Sequence, residues 1–272
     1  MSFVPGRVEV SAPTWRRTVR VLSWALLAAT IAVQIAFPYV PSVTPALTTA
    51  SVVLLTAAVL CDAAVSRGWR GPVTLLVICG GGGLLVESLG VRTGFPFGSY
   101  HYTDVLRPAV LGVPLVVPLA WAMMAWPALA VARRIVGTHG RWASVVVAAY
   151  ALAVWDVFLD PQMVDAGNWR WDNTSPALPG VDGIPLTNFG GWLVVALVMM
   201  VLLDRLLPVE PVTPHSDAVP VAIYLWTYVS SVIAHLTFFS RPMVALVGGV
   251  LMGIVAIPLA LSVIREVRDA RR

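Results

Sequence analysis

The chain has 272 residues, of which 58% are hydrophobic and only 12% are charged, and its mean hydropathy is +0.82. Soluble domains typically carry roughly 25% charged residues, so this chain has too little charge to cover a water-facing surface. The composition predicts an integral membrane protein and excludes a soluble enzyme, a nucleic-acid-binding protein and a disordered scaffold. The formal net charge is +4, and every basic residue is arginine, which excludes a lysine Schiff base such as a retinal linkage.

Eight mostly apolar runs are long enough to span a bilayer, which takes about 20 residues per helix. In chain order the predicted spans are residues 18–38, 44–65, 72–91, 109–132, 142–160, 188–207, 218–238 and 243–264. The first run follows Arg16 and Arg17 and is longer than the apolar part of a typical signal peptide, so we expect it to remain as a helix. The sequence therefore predicts an all-α, polytopic bundle of about eight transmembrane helices that forms one domain over residues 1–272.

The distribution of arginine predicts the orientation, because cytoplasmic loops are enriched in basic residues. With the N-terminus inside, fourteen arginines lie in inner segments and four in outer segments. The four outer ones are Arg92, Arg107, Arg170 and Arg241. We therefore expect a multi-pass plasma membrane protein with both termini in the cytoplasm. The two longest connections, residues 92–108 and 161–187, then both face outward.

Three acidic residues inside predicted spans are candidates for chemistry, because an ionisable side chain in the bilayer is costly. Glu87 lies near the outer end of the third span, and Asp156 and Asp160 lie near the outer end of the fifth, on one helix face. Carboxyl groups at one depth can form a single pocket. Since like charges in a low-dielectric site cannot all stay ionised, at least one is expected to be a neutral acid and hence a proton donor.

A structural explanation of these acids is also open. Each of the three could cap a helix end or pair with Arg92 or Arg107. Nearer the inner side, Asp204 and its neighbour Arg205 are expected either to form a local ion pair or to extend their charged ends toward the membrane surface. No metal-ligand spacing and no nucleotide-binding glycine motif is present in the sequence, so neither a metal nor another cofactor is expected.

Aromatic side chains cluster with the acids on the predicted outer side. They are expected either to form an interfacial aromatic belt or to line a dry site and stabilise a developing cation. The candidates are Phe95, Phe97, Tyr100, Tyr102, Trp155, Trp169, Trp171, Phe189 and Trp192. Their interleaving with the acids favours the second interpretation.

Three motifs resemble signatures of the CruF-type carotenoid hydratase family over roughly residues 72–200. The first is ESLG at residues 87–90, then TGFPFGSYHY at residues 93–102, with Pro114, Pro118 and Trp121 further along. The second is Asp156-x-x-x-Asp160-Pro161 followed by WRW at residues 169–171, and the third is GIPLTNFGGW at residues 183–192. The order and spacing of the three make the combination more specific than any one of them.

The resemblance implies cofactor-independent hydration of a carbon–carbon double bond at the terminal isoprene unit of an acyclic carotenoid, C40 or C50, to give a tertiary alcohol. The implied partners are a carotenoid taken from the bilayer, membrane lipids and other enzymes of the carotenoid pathway, with no nucleic acid. Trp121 and the aromatic candidates would surround the substrate. Protonation of the alkene would give a carbocation, which carboxylates and aromatic faces stabilise until water captures it.

The chemistry assigns an expected role to each of these polar residues. Asp156 or Glu87 is the expected proton donor, and Asp160 is the base that orients water. Asn188 is expected to hydrogen-bond to the water or to an acid, and Arg92 to tune the carboxylates.

Two other functions remain open at this level. A carotenoid cyclase would use the same protonation, with a second alkene of the substrate capturing the cation. A proton-coupled transporter or lipid-binding membrane protein would also carry acids inside its spans. The mass of the product separates these alternatives, because only hydration adds one water.

Overall fold

A computed structural model describes residues 14–40, 44–137, 140–207 and 217–272. Within these residues, eight helical segments are long and apolar enough to cross a membrane, which confirms the predicted number of spans. They are Thr14–Tyr39, Thr44–Arg67, Arg70–Thr93, Val116–Val136, Arg141–Asp165, Leu186–Leu206, Ala218–Thr237 and Pro242–Asp269. Helices suit a bilayer because they satisfy their own backbone N–H and C=O groups. Arg7, which contributes to the arginine count, lies outside the described residues.

The described residues form ten α-helices and six short strands, joined by turns and loops. The helices are α1 (Thr14–Ala36), α2 (Thr44–Arg67), α3 (Arg70–Leu75), α4 (Gly82–Thr93), α5 (Val116–Val136), α6 (Arg141–Ala153), α7 (Asp156–Asp165), α8 (Leu186–Leu206), α9 (Ala218–Thr237) and α10 (Pro242–Asp269). The strands are β1 (Tyr100–Tyr102), β2 (Ala109–Val110), β3 (Val113–Pro114), β4 (Trp169–Trp171), β5 (Ala177–Leu178) and β6 (Val181–Pro185). A 3₁₀ turn, Phe37–Tyr39, follows α1, and a π-helical turn, Leu76–Gly81, joins α3 to α4.

Helix α5 occupies the centre of the bundle and packs against α2, α6 and α9. Its side chains are buried along most of its length, as a helix that is apolar on every side requires. Helix α10 instead exposes a row of large apolar side chains, including Leu246, Val250 and Ile254. Such a row is the surface that lipid would cover.

The fourth span begins later than the sequence predicts. Residues from 109 were expected to be helical, but β2 and β3 form a small hairpin there and α5 begins at Val116. The turn contains Leu111 and Gly112, both with positive φ, and Pro114 follows it. Gly112 and Pro114 favour a turn over a helix despite the apolar character of the segment, so the prediction of this boundary was wrong.

The fifth span is broken and extends further than predicted. Helix α6 ends at Ala153, and α7 runs from Asp156 to Asp165, five residues beyond the predicted end at residue 160. Asp156 and Asp160 therefore lie in the first turns of α7 and not in the last turn of the span. They still lie four residues apart on one helix face.

Two connections between helices lead to the residues of the candidate site described below. Helix α4 is followed by Gly94, whose φ of +76° is the left-handed conformation common after a helix. The Gly94 N–H donates to the Gly90 carbonyl oxygen at 2.7 Å. The chain then enters β1. On the other side, β6 pairs with β5 and leads directly into α8, which carries Asn188 in its first turn.

Candidate active site

Strands β1 and β4 form a two-stranded ribbon, which covers one end of the helices that carry Glu87, Asp156 and Asp160. The strands pair antiparallel and join the connection after α4 to the connection after α7. Tyr100 lies opposite Trp171. Tyr102 lies opposite Trp169. Because successive residues of a strand face opposite sides, these four rings share one face, while His101 lies on the other. The ribbon thus presents a wall of aromatic rings to the helices.

Glu87 on α4 lies behind this wall and is only 4% exposed. The hydroxyl of Tyr100 donates to Glu87 Oε2 at 2.5 Å, and the hydroxyl of Tyr102 donates to the same oxygen at 2.8 Å. From α5, Trp121 Nε1 donates to Glu87 Oε1 at 3.0 Å. Both carboxyl oxygens are therefore hydrogen-bond acceptors, with donors from the ribbon and from the central helix.

The two tyrosines are held as hydrogen-bond donors. Burial, and after it the charge of Glu87, raises the pKa of Tyr100 and the pKa of Tyr102 above the usual tyrosine value. Their hydroxyls therefore keep their protons. The close approach of Tyr100 to α4 also depends on Gly90, where a Cβ atom would lie 2.8 Å from the Tyr100 hydroxyl oxygen.

Asp156 and Asp160 form a second acidic group, and Asn188 from α8 joins them. Asn188 Nδ2 donates to Asp156 Oδ2 at 2.7 Å and also to Asp160 Oδ2. Trp169 Nε1 on the ribbon donates to Asp160 Oδ1 at 3.0 Å. Asp156 is fully buried, and its Oδ1 has no hydrogen-bond partner among the described residues. One amide thus holds two carboxyl groups side by side, away from water.

A cavity of about 60 Å³, the acid cavity, connects the two acidic groups. Glu87 and Asp160 both line it, whereas Asp156 is not part of its wall. The other sequence candidates that line it are Phe97, Tyr100, Tyr102, Trp169, Trp171, Asn188 and Trp192. Its volume exceeds the roughly 10–15 Å³ that one water needs. Across the described residues, no group of three or more His, Cys, Asp or Glu side chains could hold a metal ion.

A larger cavity of about 280 Å³, the side groove, lies next to the acid cavity among α1, α2, α7 and α9. Trp155 lines the side groove, and its ring meets the ring of Trp192 edge to face, with centroids 6.2 Å apart. Trp192 in turn stacks on Trp121 with centroids 3.7 Å apart. A continuous set of rings thus runs from the side groove to the tryptophan that binds Glu87.

Besides Asp156 and Trp121, which are hydrogen-bonded to residues that line the acid cavity, three predicted site residues line neither cavity. Arg92 is exposed, and Phe95 is 69% exposed. Phe189 is half-buried but lines neither the acid cavity nor the side groove. Arg107 pairs with Asp104. The structure therefore brings the acids together with the ribbon aromatics and leaves these side chains apart from them.

Several residues of the acid cavity were not anticipated from the sequence. They are Thr48 and Val52 on α2, Leu106, Val116, Val117, Ala120 and Met123 around the start of α5, and Leu159 and Met163 on α7. An apolar residue within an apolar span carries no signal that distinguishes a cavity wall from ordinary packing. The contribution of α2, which lies outside the recognised motifs, could not have been found from the motifs.

Asp204 is part of a separate cluster and does not pair with Arg205 as expected. Arg133 Nη2 donates to Asp204 Oδ1 at 2.9 Å, and Arg141 also pairs with Asp204. Arg205 itself is exposed. Adjacent residues on a helix point in different directions, so the partners of Asp204 come from α5 and α6 instead. The expectation of a local ion pair was wrong.

Comparison with known proteins places the chain in a functional context. A model of the carotenoid biosynthesis protein family matches residues 47–255. A bisanhydrobacterioruberin hydratase from Haloarcula japonica is 30% identical over 122 residues, which are 44% of this chain and 40% of that protein. This chain thus matches less than half of the length of that relative. No solved structure matches. The matches confirm the resemblance to carotenoid enzymes seen in the sequence.

Proposed function

We propose a hydratase function from the premise that this chain belongs to the carotenoid biosynthesis protein family. In this proposal the protein adds water to a terminal carbon–carbon double bond of an acyclic carotenoid end group and yields a tertiary alcohol. The observation that carries the proposal is that Glu87 and Asp160, from separate helices, line one cavity walled by aromatic rings. The hydratase name of the Haloarcula japonica relative supports the same class of reaction.

The first step is transfer of a proton to the less substituted carbon of the alkene. Two carboxyl groups held side by side out of water repel each other as anions, so Asp156 and Asp160 retain one proton between them. Asp160 delivers this proton, because it lines the acid cavity and Asp156 does not. This assignment replaces the sequence-based choice of Asp156 or Glu87 as donor. Asp156 becomes the partner that shares the proton, and Asn188 holds the pair together.

The second step is stabilisation of the tertiary carbocation. Glu87 accepts hydrogen bonds from three donors, which is the arrangement of an ionised carboxyl group. Its negative charge lies in the wall of the same cavity as the rings of Trp169 and Trp171, and a negative charge and aromatic rings both favour a cation there. A cavity without these groups would give the cation no compensation for the loss of water.

The last step is capture of the cation by water. The oxygen of a water in the acid cavity bonds to the cationic carbon, and Glu87 accepts the proton that this water loses. Glu87 then gives up that proton and the aspartate pair regains one, so both acidic groups return to their starting state. The net change is the addition of one water to the double bond. The scheme needs no redox cofactor, because hydration produces no net oxidation or reduction.

The substrate reaches this site from the bilayer, since an acyclic carotenoid is a hydrocarbon rod that dissolves in lipid. We further propose that the protein lies in the plasma membrane with both termini in the cytoplasm and the ribbon outside, as the arginine distribution favours. Other enzymes of the carotenoid pathway would supply the substrate or use the product.

Expression in a host that accumulates lycopene tests the proposal. Hydration predicts a product heavier by one water, and in D2O the carbon next to the new alcohol gains solvent deuterium. A cyclase would give a product of unchanged mass, and a transporter would leave the pigment unaltered. A hydrated product made in D2O without that deuterium would exclude protonation of the alkene.

A further inference from the structure

The side groove is a feature that the proposed chemistry does not use. Its rim includes Ile35 on α1 and Val229 and Ile233 on α9, and all three side chains are exposed. Exposed apolar side chains on helices of this length are those that lipid would surround. The groove therefore opens on a surface that lipid would cover.

The side groove adjoins the acid cavity and shares part of its wall. Five residues line both spaces: Thr48, Val52, Met123, Leu159 and Met163. They come from α2, α5 and α7, and Asp160 follows Leu159 directly on α7. A rod-shaped molecule whose end lies beside Asp160 thus has its next segment at the groove.

Several polar side chains of the side groove already have hydrogen-bond partners within the protein. Gln34 Nε2 donates to Ser51 Oγ at 2.9 Å, and Trp226 Nε1 donates to Gln34 Oε1 at 2.6 Å. The hydroxyl of Thr227 donates to the backbone oxygen of Ile223 at 2.8 Å. The surface of the side groove that remains for a ligand is mainly apolar. A hydrocarbon chain, which has no hydrogen bonds to satisfy, suits such a groove best.

We propose that the side groove holds the polyene chain of the same carotenoid whose end group enters the acid cavity. This inference rests on the proposed function and adds the binding site for the rest of the substrate. The acid cavity of about 60 Å³ has room for an end of the molecule only. The side groove, at about 280 Å³, supplies the adjoining apolar wall and leaves the far end of the chain in lipid.

The test fills the groove without touching the acids. Ala234 lines the groove from α9, and Ala234→Trp would occupy its space. Ala28→Trp is the matched control, because Ala28 is exposed on α1 and does not line the groove. Two quantities are measured: the lycopene that stays bound to the detergent-purified protein, and the hydration of lycopene compared with farnesol, a short isoprenoid with the same terminal alkene.

Ala234→Trp is expected to lower lycopene retention about tenfold, because a few methylene-sized contacts are lost. Lycopene hydration should fall with it while farnesol hydration stays as in the wild type. Ala28→Trp should change neither. Ser230→Phe, on the same wall of the groove, should repeat the effect if Ala234→Trp fails to fold.

Wild-type retention of lycopene by Ala234→Trp and Ser230→Phe would overturn the inference, as would an equal loss in Ala28→Trp. A fall in bound phospholipid with unchanged lycopene would overturn it too, since the groove would then hold a lipid acyl chain. Failure of the proposed function looks different. In that case the wild type hydrates neither compound, and lycopene retention still reports on the groove.

Discussion

Tyr100 and Glu87 are thirteen residues apart in the chain, yet the Tyr100 hydroxyl donates to Glu87 Oε2 at 2.5 Å. The contact exists because β1 folds back over α4 and pairs with β4 from a distant part of the sequence. The Glu87 carboxyl group, which lies in an apolar span, thereby accepts a hydrogen bond from the ribbon in place of one from water.

Asp160→Asn is expected to reduce hydration by at least about 100-fold, since general acid catalysis contributes about that much or more. The amide keeps the shape of the side chain but supplies no acidic proton. The measurement is conversion of lycopene by membranes containing equal amounts of protein. Asp62→Asn is the control, because Asp62 is also buried and accepts a hydrogen bond from Trp126 but lies outside the acid cavity. Comparable losses in both variants would remove Asp160 from the mechanism.

Gly90→Ala is expected to lower activity about tenfold or more, because the new methyl group would lie 2.8 Å from the Tyr100 hydroxyl oxygen and displace it from Glu87. Tyr100→Phe should show a loss of similar size. Gly190→Ala on α8 is the matched control, since a Cβ there meets nothing within 4 Å. If Gly90→Ala were as active as Gly190→Ala, the hydrogen bond between Tyr100 and Glu87 would not be needed for the reaction.

The raised pKa of Tyr100 and Tyr102 gives a prediction about titration. As pH rises through 10.0, the ordinary tyrosine value, these two hydroxyls are expected to stay protonated because burial and Glu87 both disfavour the phenolate. The increase in ultraviolet absorbance that accompanies ionisation of tyrosine should then be the same for the folded wild type and for folded Tyr100→Phe near that pH. In denaturant, where all six tyrosines of the wild type titrate, the variant should show a smaller signal. A smaller signal from the folded variant would contradict the prediction.

The sign of the resulting effect on stability follows from proton linkage. The folded state holds the protons of Tyr100 and Tyr102 more tightly than the unfolded state. Their contribution to the free energy of unfolding is therefore complete at pH values below 10.0, the tyrosine pKa in the unfolded state. It is lost as the pH rises above that value toward the higher pKa of the folded state.

Labelling of single cysteines tests the proposed orientation. Arg170→Cys on the ribbon and Arg268→Cys near the end of α10 are both at exposed positions. A membrane-impermeant maleimide added to intact cells is expected to label the first and not the second. The unmodified chain is the control, because Cys61 is half-buried and Cys79 is buried. Labelling of Arg268→Cys alone would contradict the proposed orientation and indicate the opposite one.

Composition was sufficient to predict the number of spans, because the bilayer demands long apolar helices and little else. The boundaries of the fourth and fifth spans were not predictable in the same way. Apolar residues continue through the hairpin before Val116 and through the break before Asp156, so hydropathy alone does not reveal either change. Turn-forming residues such as Gly112 gave the only local signal.

The candidate site was predictable in its residue types and less so in its geometry. Motif membership identified Glu87, Asp160 and Asn188, but it also included Phe95, which is exposed. A motif gives no information about which side of a strand or helix a residue occupies. The ribbon depends on pairing between segments about seventy residues apart in the chain, as between Tyr100 and Trp171, and no local pattern specifies such a partner.

The ribbon has a mechanical consequence. By fastening the segment after α4 to the segment after α7, it ties together the helices that carry Glu87, Asp156 and Asp160. Separating those helices would require the strands to come apart. Any widening that admits a bulky molecule from the lipid is therefore expected at α1, α2 and α9, which carry none of these three acids.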